Sequence, residues 1–198
     1  FNMAKTKTTT EFVCSECGST SSRWLCRCPS CGKFNTMVEE IVKPAAPASA
    51  RTAQTVARAQ KLADVTKENY SRTPSGISEF DTVLGGGIVT GSLVLIGGDP
   101  GIGKSTLLTQ IASHLSKESK VLYFSAEESC SQVKLRADRL RLNPDNLYIV
   151  NETCIDNLDG ELDGVKFCVI DSIQAVYTEE LSSSSGSVGQ VRECAAKL

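Results

Sequence analysis

The chain has 198 residues, 40% of them hydrophobic and 22% charged. That balance belongs to ordinary globular proteins and excludes wholesale disorder, a collagen and a coiled coil; no run approaches the roughly 18 apolar residues that cross a bilayer, so no membrane partner is expected. Net charge is −2 but unevenly spread, with Lys and Arg outnumbering Asp and Glu 11 to 6 over residues 1–75 and falling to 10 against 17 over 76–198. The basic end hints at a polyanionic partner, with a solvated segment as the plain alternative.

In chain order, the first residues lack the apolar run of a secretory signal, which predicts a cytoplasmic protein. Met3 is the expected natural start, so Phe1 and Asn2 stand outside the argument. Of nine cysteines, five (Cys14, Cys17, Cys26, Cys28 and Cys31) crowd into 18 positions, and Cys130, Cys154, Cys168 and Cys194 are scattered singly. An odd total split this way, without a secretory signal, argues for a metal cluster beside ordinary thiols and against a disulfide framework.

Residues 11–42 form the predicted metal module. Cys14-Ser-Glu-Cys17-Gly and Cys28-Pro-Ser-Cys31-Gly are two C-x2-C-G turns separated by ten residues. Two such turns can aim four thiolates at one tetrahedral Zn(II), and four protein ligands leave no position for a catalytic water. Cys26 is the competing ligand for Cys28, but its spacing to Cys31 fits less well. Trp24, Arg23, Arg27, Lys33 and Phe34 offer aromatic and basic groups for nucleic acid or a protein contact; packing of Trp24 and Phe34 over the metal is the alternative. Residues 43–70, opening on KPAAPASARTAQ, read as a linker, poor in the apolar area that would offset ordering entropy.

From 71 to 198 the pattern becomes α/β. Expected strands are Leu93 to Ile96, buried, then Val121 to Ser125, Leu147 to Val150 and Phe167 to Ile170. Between and after them lie expected helices at Lys104 to Ser116, Gln132 to Leu142 and Val188 to Leu198, with a polar loop at Ser182 to Gly186. Strands alternating with helices predict a parallel sheet covered on both faces.

The sharpest motif is Gly98-Asp99-Pro100-Gly101-Ile102-Gly103-Lys104-Ser105, followed by Thr106, placed between a predicted strand and a predicted helix. This is a Walker A loop. Its glycines let backbone N–H groups wrap the phosphates of ATP, Lys104 supplies a cation, and the Ser105 hydroxyl can ligate Mg(II). Phe167-Cys168-Val169-Ile170 ending in Asp171 is the matching Walker B pattern, with Asp171 a second Mg(II) residue. Glu127 and Glu128 end another predicted strand, on the rim where ligands bind in such sheets; Glu127 is the favoured base for the attacking water and Glu128 the alternative. Gln174 follows Walker B as a nucleotide or DNA contact, or simply a polar residue at a helix start.

Taken together, TPSGISEFDTVLGGGIVTGSLVLIGGDPGIGKSTLL, YFSAEES, VIDSIQAVYTEEL and GSVGQVRECAAKL, with CSECG and CPSCGKFNT ahead of them, resemble the bacterial RadA (Sms) family of RecA-related DNA repair and recombination ATPases. The resemblance runs from Glu11 onward. It implies a RecA-like P-loop core behind a four-cysteine zinc module, a homo-hexameric ring when full length, and DNA-dependent ATP hydrolysis driving branch migration on single-stranded and branched DNA. By the same resemblance Lys104 and Ser105 hold the Walker A roles, Glu127 matches the catalytic glutamate and Asp171 the Walker B aspartate. The sequence departs from the family at Cys26, where Gly is usual, and at Phe34, where Trp is common. It also stops at Leu198, short of the remaining strands, a Lys-Asn-Arg-Phe-Gly motif and a Lon-related domain, so the core is expected to be C-terminally incomplete. The alternatives are a regulatory ATPase of the KaiC type and a module that docks on a recombinase or replicative helicase.

Overall fold

Two short antiparallel assemblies and one parallel sheet organise the chain in the computed structural model, which describes residues 9–42, 61 and 71–198. The expected linker, apart from residue 61, lies outside the described residues, as do Phe1, Asn2 and Met3. Strands β1 (Thr9–Cys14), β2 (Thr20–Ser21) and β3 (Met37–Val42) form an antiparallel sheet in the order β2-β1-β3. Its centre is small: Cys14, Cys28 and Met37 are buried, with Phe12 and Leu25 packed against them. Trp24 and Phe34 do not cover that centre, being 54% and 66% exposed. Leu25 and Phe12 take the covering role, and Phe34 instead lies beneath the Arg27 guanidinium, 5.4 Å from ring centroid to Cζ.

The second region opens with β4 (Arg72–Thr73) paired antiparallel to β5 (Ile88–Val89), with helix α1 (Ser78–Val83) between them. Gly87 makes this closure feasible: its φ is +124°, and a Cβ there would stand 2.7 Å from the Thr73 carbonyl oxygen. Helix α2 (Lys104–Leu115) follows, then β6 (Val121–Ser125), α3 (Cys130–Arg139), β7 (Leu147–Asn151), two 3-10 turns, β8 (Phe167–Asp171) and α4 (Val188–Lys197).

The three longer strands form a parallel sheet in the order β7-β6-β8. Central β6 is buried at all five positions, and its alternation divides the core. Val121 and Tyr123 face α2 and α3, packing with Ile111, Ala112, Leu115 and Val133. Leu122 and Phe124 face the other way, against Ile155, Leu158, Val176 and Cys194 of α4. A parallel strand covered on both faces has this continuous apolar run, as its sequence predicts.

One predicted element differs. Leu93 to Ile96 forms no strand, and Leu93 and Leu95 are 69% and 84% exposed. A strand exists only through ladder hydrogen bonds to a neighbour, and no described residue pairs with this run. Helix α3 begins two residues earlier than predicted because Ser129 caps it, accepting from the Gln132 amide while the Gln132 side chain accepts from the Ser129 amide. Its end comes early too, with Arg141 in the left-handed region at φ 55°. Gln174 lies exposed in a turn rather than at a helix start.

Candidate functional site

The metal module and the phosphate loop are separate constellations. In the first, Cys14, Cys17, Cys28 and Cys31 bring their sulfurs within 4.8 Å of one another. Cys14 and Cys31 are 3.7 Å apart and Cys17 and Cys28 3.6 Å apart. Zn–S bonds of about 2.3 Å in a tetrahedron require sulfur separations of about 3.8 Å, so the donor set fits zinc. Cys26 is exposed and outside this group; its carbonyl accepts from the Asn35 amide.

Each C-x2-C turn closes by a backbone bond, Gly18 N–H to the Cys14 carbonyl and Gly32 N–H to the Cys28 carbonyl, with both glycines at positive φ. The same turns aim amides at sulfur. For Cys14, burial raises the thiol, but the Thr36 hydroxyl and the amides of Glu16 and Cys17 outweigh it and bring it down to about 6. The Cys31 amide, against desolvation, lowers Cys28. At Cys31 the Lys33 amide acts downward, yet desolvation and the neighbouring Cys17, Cys28 and Cys14 push it up to about 11. Four sulfurs this close ionise together only around a cation, which is the chemistry of a structural metal site.

The second constellation sits at the start of α2. Gly103, the N-cap, is left-handed at φ 107°, and Gly101 has φ +79°; at neither would a Cβ meet anything within 4 Å, so the loop leaves open space beside its backbone. The first turn of α2 carries no acidic side chain, leaving the positive end of its dipole uncompensated. Lys104 Nζ donates to the carbonyls of Gly98 at 2.7 Å and Asp99 at 2.9 Å. An arriving phosphate therefore competes with these two carbonyls for the ammonium. Asp99, Pro100 and Ile102 lie exposed along the loop, with Ser105 and Thr106 half-buried behind it. The residues present fit a nucleotide phosphate by backbone donors and charge.

The carboxyl ends of β6 and β8 bring the acidic residues together. Ser125 pairs in register with Asp171, and the Ala126 amide donates to the Asp171 carbonyl at 2.8 Å. The turn carrying Glu127 and Glu128 is pinned from both sides. Ser125 Oγ donates to the Glu128 carbonyl at 2.6 Å, and Asn151 Nδ2 on β7 donates to the carbonyls of Ser125 and Glu128. From this turn the two carboxylates diverge. Glu127 accepts from Ser172 Oγ, beside Asp171, while Glu128 pairs with Arg136 of α3.

Sequence reasoning missed four contributors here: Tyr123, Thr109, Arg136 and Ser172. Tyr123 is fully buried, and its hydroxyl donates to Asp171 Oδ2 at 2.6 Å. Burial first, and then the Asp171 carboxylate, push that phenol well above its ordinary range. A register signal existed, because Tyr123 pairs with Val169 and Asp171 is therefore its diagonal neighbour on one sheet face. Arg136 shares the inward face of α3 with buried Val133 and Ala137, a charge at an apolar spacing. No direct hydrogen bond joins Ser105 to Asp171 among the described residues; Arg136 links the Ser105 carbonyl to Glu128 instead.

Among the described residues no helix is long and apolar enough to cross a membrane. The KaiC ATPase family matches residues 73–158, and the rubredoxin metal binding domain matches residues 12–39. Curated relatives cover 99% of the chain. The DNA repair protein RadA of Bacillus subtilis is 48% identical and that of Listeria monocytogenes also 48%, the chain spanning 44% of each. The Campylobacter jejuni protein of the same name is 45% identical, with 45% of its length spanned. The chain thus spans less than half the length of these relatives. Along 99% of its length the chain is similar to these proteins, with the rubredoxin-type match at residues 12–39 lying ahead of the KaiC-type ATPase match at residues 73–158.

Proposed function

We propose that the protein is a DNA-dependent ATPase of DNA repair and recombination, acting in the cytoplasm on single-stranded and branched DNA. The observation that carries this reading is that Asp171 and Glu127 stand at the carboxyl ends of β8 and β6, joined through Ser172, and that Arg136 ties the neighbouring Glu128 to the Ser105 turn at the start of α2, behind the Walker A loop. Residues 11–42 would be the zinc module, 43–70 a linker and 71–198 the ATPase core. The relatives' name, DNA repair protein RadA, supports the DNA assignment.

In this reading the backbone from Gly98 to Gly103 and the first turn through Thr106 hold the phosphates of ATP, and Lys104 exchanges two loop carbonyls for them. Ser105 and Asp171 would hold Mg(II), whose chemistry is to neutralise charge developing on the phosphates. Tyr123 fixes one oxygen of Asp171. Glu127, steadied by the Ser172 hydroxyl, takes the proton of the attacking water. Glu128 is the less favoured base in this reading, because its carboxylate pairs with Arg136, whose side chain is only 9% exposed. Cys14, Cys17, Cys28 and Cys31 hold the structural zinc. The whole protein works as a hexameric ring and meets a recombinase or replicative helicase.

The test is ATP hydrolysis by the full-length protein with and without single-stranded DNA, at fixed salt because phosphate contacts are salt-dependent. DNA-stimulated turnover, lost in Lys104→Ala and in Glu127→Gln, is expected; unchanged turnover in both variants contradicts the reading. Turnover indifferent to DNA would favour a regulatory ATPase, the second reading, which the KaiC family match supports.

A further inference from the structure

Beyond its pair with Glu128, Arg136 makes contacts that the nucleotide chemistry above does not use. It sits on the inner face of α3 with 9% of its side chain exposed, a costly place for a guanidinium unless its donors are matched. One arm pairs with Glu128. The other donates to the Ser105 carbonyl at 3.3 Å and to Thr109 Oγ1 at 3.2 Å. Thr109 is itself fully buried and donates to the same Ser105 carbonyl at 2.6 Å. One side chain thus grips the first turn of the Walker A helix and the residue next to Glu127. Lys would reach one of these sets but has no planar fork to span both.

Glu127 and Glu128 are adjacent on a short turn, so fixing one carboxylate restricts where the other can point. With Glu128 drawn toward α3, Glu127 is left toward Ser172 and the end of β8. We propose that Arg136 is a positioning residue of the ATPase site, holding Glu128 and the Ser105 turn together so that Glu127 and the magnesium-side hydroxyl of Ser105 keep a fixed relation. The proposal rests on the nucleotide-hydrolase reading above. It predicts that Arg136 matters to turnover more than to nucleotide affinity, since its guanidinium touches neither the phosphate loop's open side nor Lys104.

The experiment compares wild type, Arg136→Lys and the double variant Arg136→Met with Glu128→Gln in the full-length protein. The double variant removes both charges, so no unpaired ion stays buried. Steady-state ATP hydrolysis, the Mg(II) concentration giving half-maximal rate, binding of a fluorescent ATP analogue and the thermal midpoint are measured. The double variant is expected to lose about tenfold or more in kcat and to require about threefold more Mg(II), while analogue affinity stays within about threefold. Arg136→Lys, which keeps the pair to Glu128 but loses the bonds to the Ser105 carbonyl and Thr109, is expected to fall between in kcat and in Mg(II) requirement. A residue with a purely structural role would move the midpoint and spare the Mg(II) requirement.

Wild-type kcat and Mg(II) dependence in the double variant, beside a Glu127→Gln protein that no longer turns over, overturns the positioning role and leaves the hydrolase reading intact. Full turnover in Glu127→Gln overturns both. Should the double variant fail to fold, Arg136→Lys decides: unchanged kcat and Mg(II) dependence refute the proposal.

Discussion

Replacing Tyr123 with Phe removes one oxygen from the middle of the core and leaves the ring in place. That hydroxyl donates at 2.6 Å to Asp171 Oδ2, and Asp171 is itself only 9% exposed, so solvent has little room to replace the donor. A hydrogen bond to a charged group contributes about 1.5–3 kcal/mol, and the missing atom is too small to open a serious cavity. With a urea dependence of about 2 kcal/mol per molar, the midpoint of unfolding should fall by about 1 M at constant slope. Tyr148→Phe, on β7 with Tyr148 53% exposed, is the control and should change stability by less than about 0.5 kcal/mol. The alkaline limb gives a second readout. Burial and then Asp171 raise the folded phenol, so the folded state keeps a proton that the unfolded state loses above about pH 10. Stability is therefore complete below that pH and declines above it, and Tyr123→Phe should flatten the decline. Equal urea midpoints for Tyr123→Phe and wild type, with equal slopes, would refute the claim that this bond fixes Asp171.

Zinc removal should unfold the first module alone: a chelator is expected to release one metal per chain and shift the emission of Trp24, the single tryptophan, because metal affinity of about 10–16 kcal/mol is the folding energy of such modules. At Asp156, burial raises the carboxyl, but Lys197, the Glu179 amide and Thr178 outweigh it and leave it lowered. A lowered folded value contributes stability that is complete above the unfolded one, about 3.9, and is lost as pH falls; Asp156→Asn should lower stability at pH 7 and flatten the acid limb. Gly76→Ala should cost about 2–4 kcal/mol by thermal unfolding, through left-handed strain and overpacking. Its φ is +84°, and the new Cβ would stand 2.4 Å from His114 Cγ.

Much of this was legible in the sequence because it is local. The pair of C-x2-C-G turns, the Walker A loop and the apolar strand over Val121 to Ser125 each carry their pattern within a few residues; the four sulfurs gather, a helix starts at Lys104 and β6 spans Val121–Ser125. What escaped was relational. Leu93 to Ile96 has the composition of a buried strand, but pairing depends on a neighbour that composition does not reveal. Tyr123 read as one more apolar residue until strand register set it diagonal to Asp171. Trp24 and Phe34 looked fit to cover the metal site, yet Phe12, two positions from Cys14 on β1, and Leu25, outside that strand, are the residues packed against Cys14, Cys28 and Met37. Sequence favours Glu127 over Glu128 as the base but does not show what each carboxylate meets. Arg136, eight positions away from Glu128 on a helix, pairs with one of the two carboxylates.

The most direct check is titration of the protein with a fluorescent ATP analogue in the presence of Mg(II), for wild type and Lys104→Ala. The account predicts saturable binding that weakens by about tenfold or more when Lys104 is removed, since a desolvated charge-assisted contact to phosphate is lost. Absence of saturable binding by the wild type, or equal affinity in the two proteins, would contradict it.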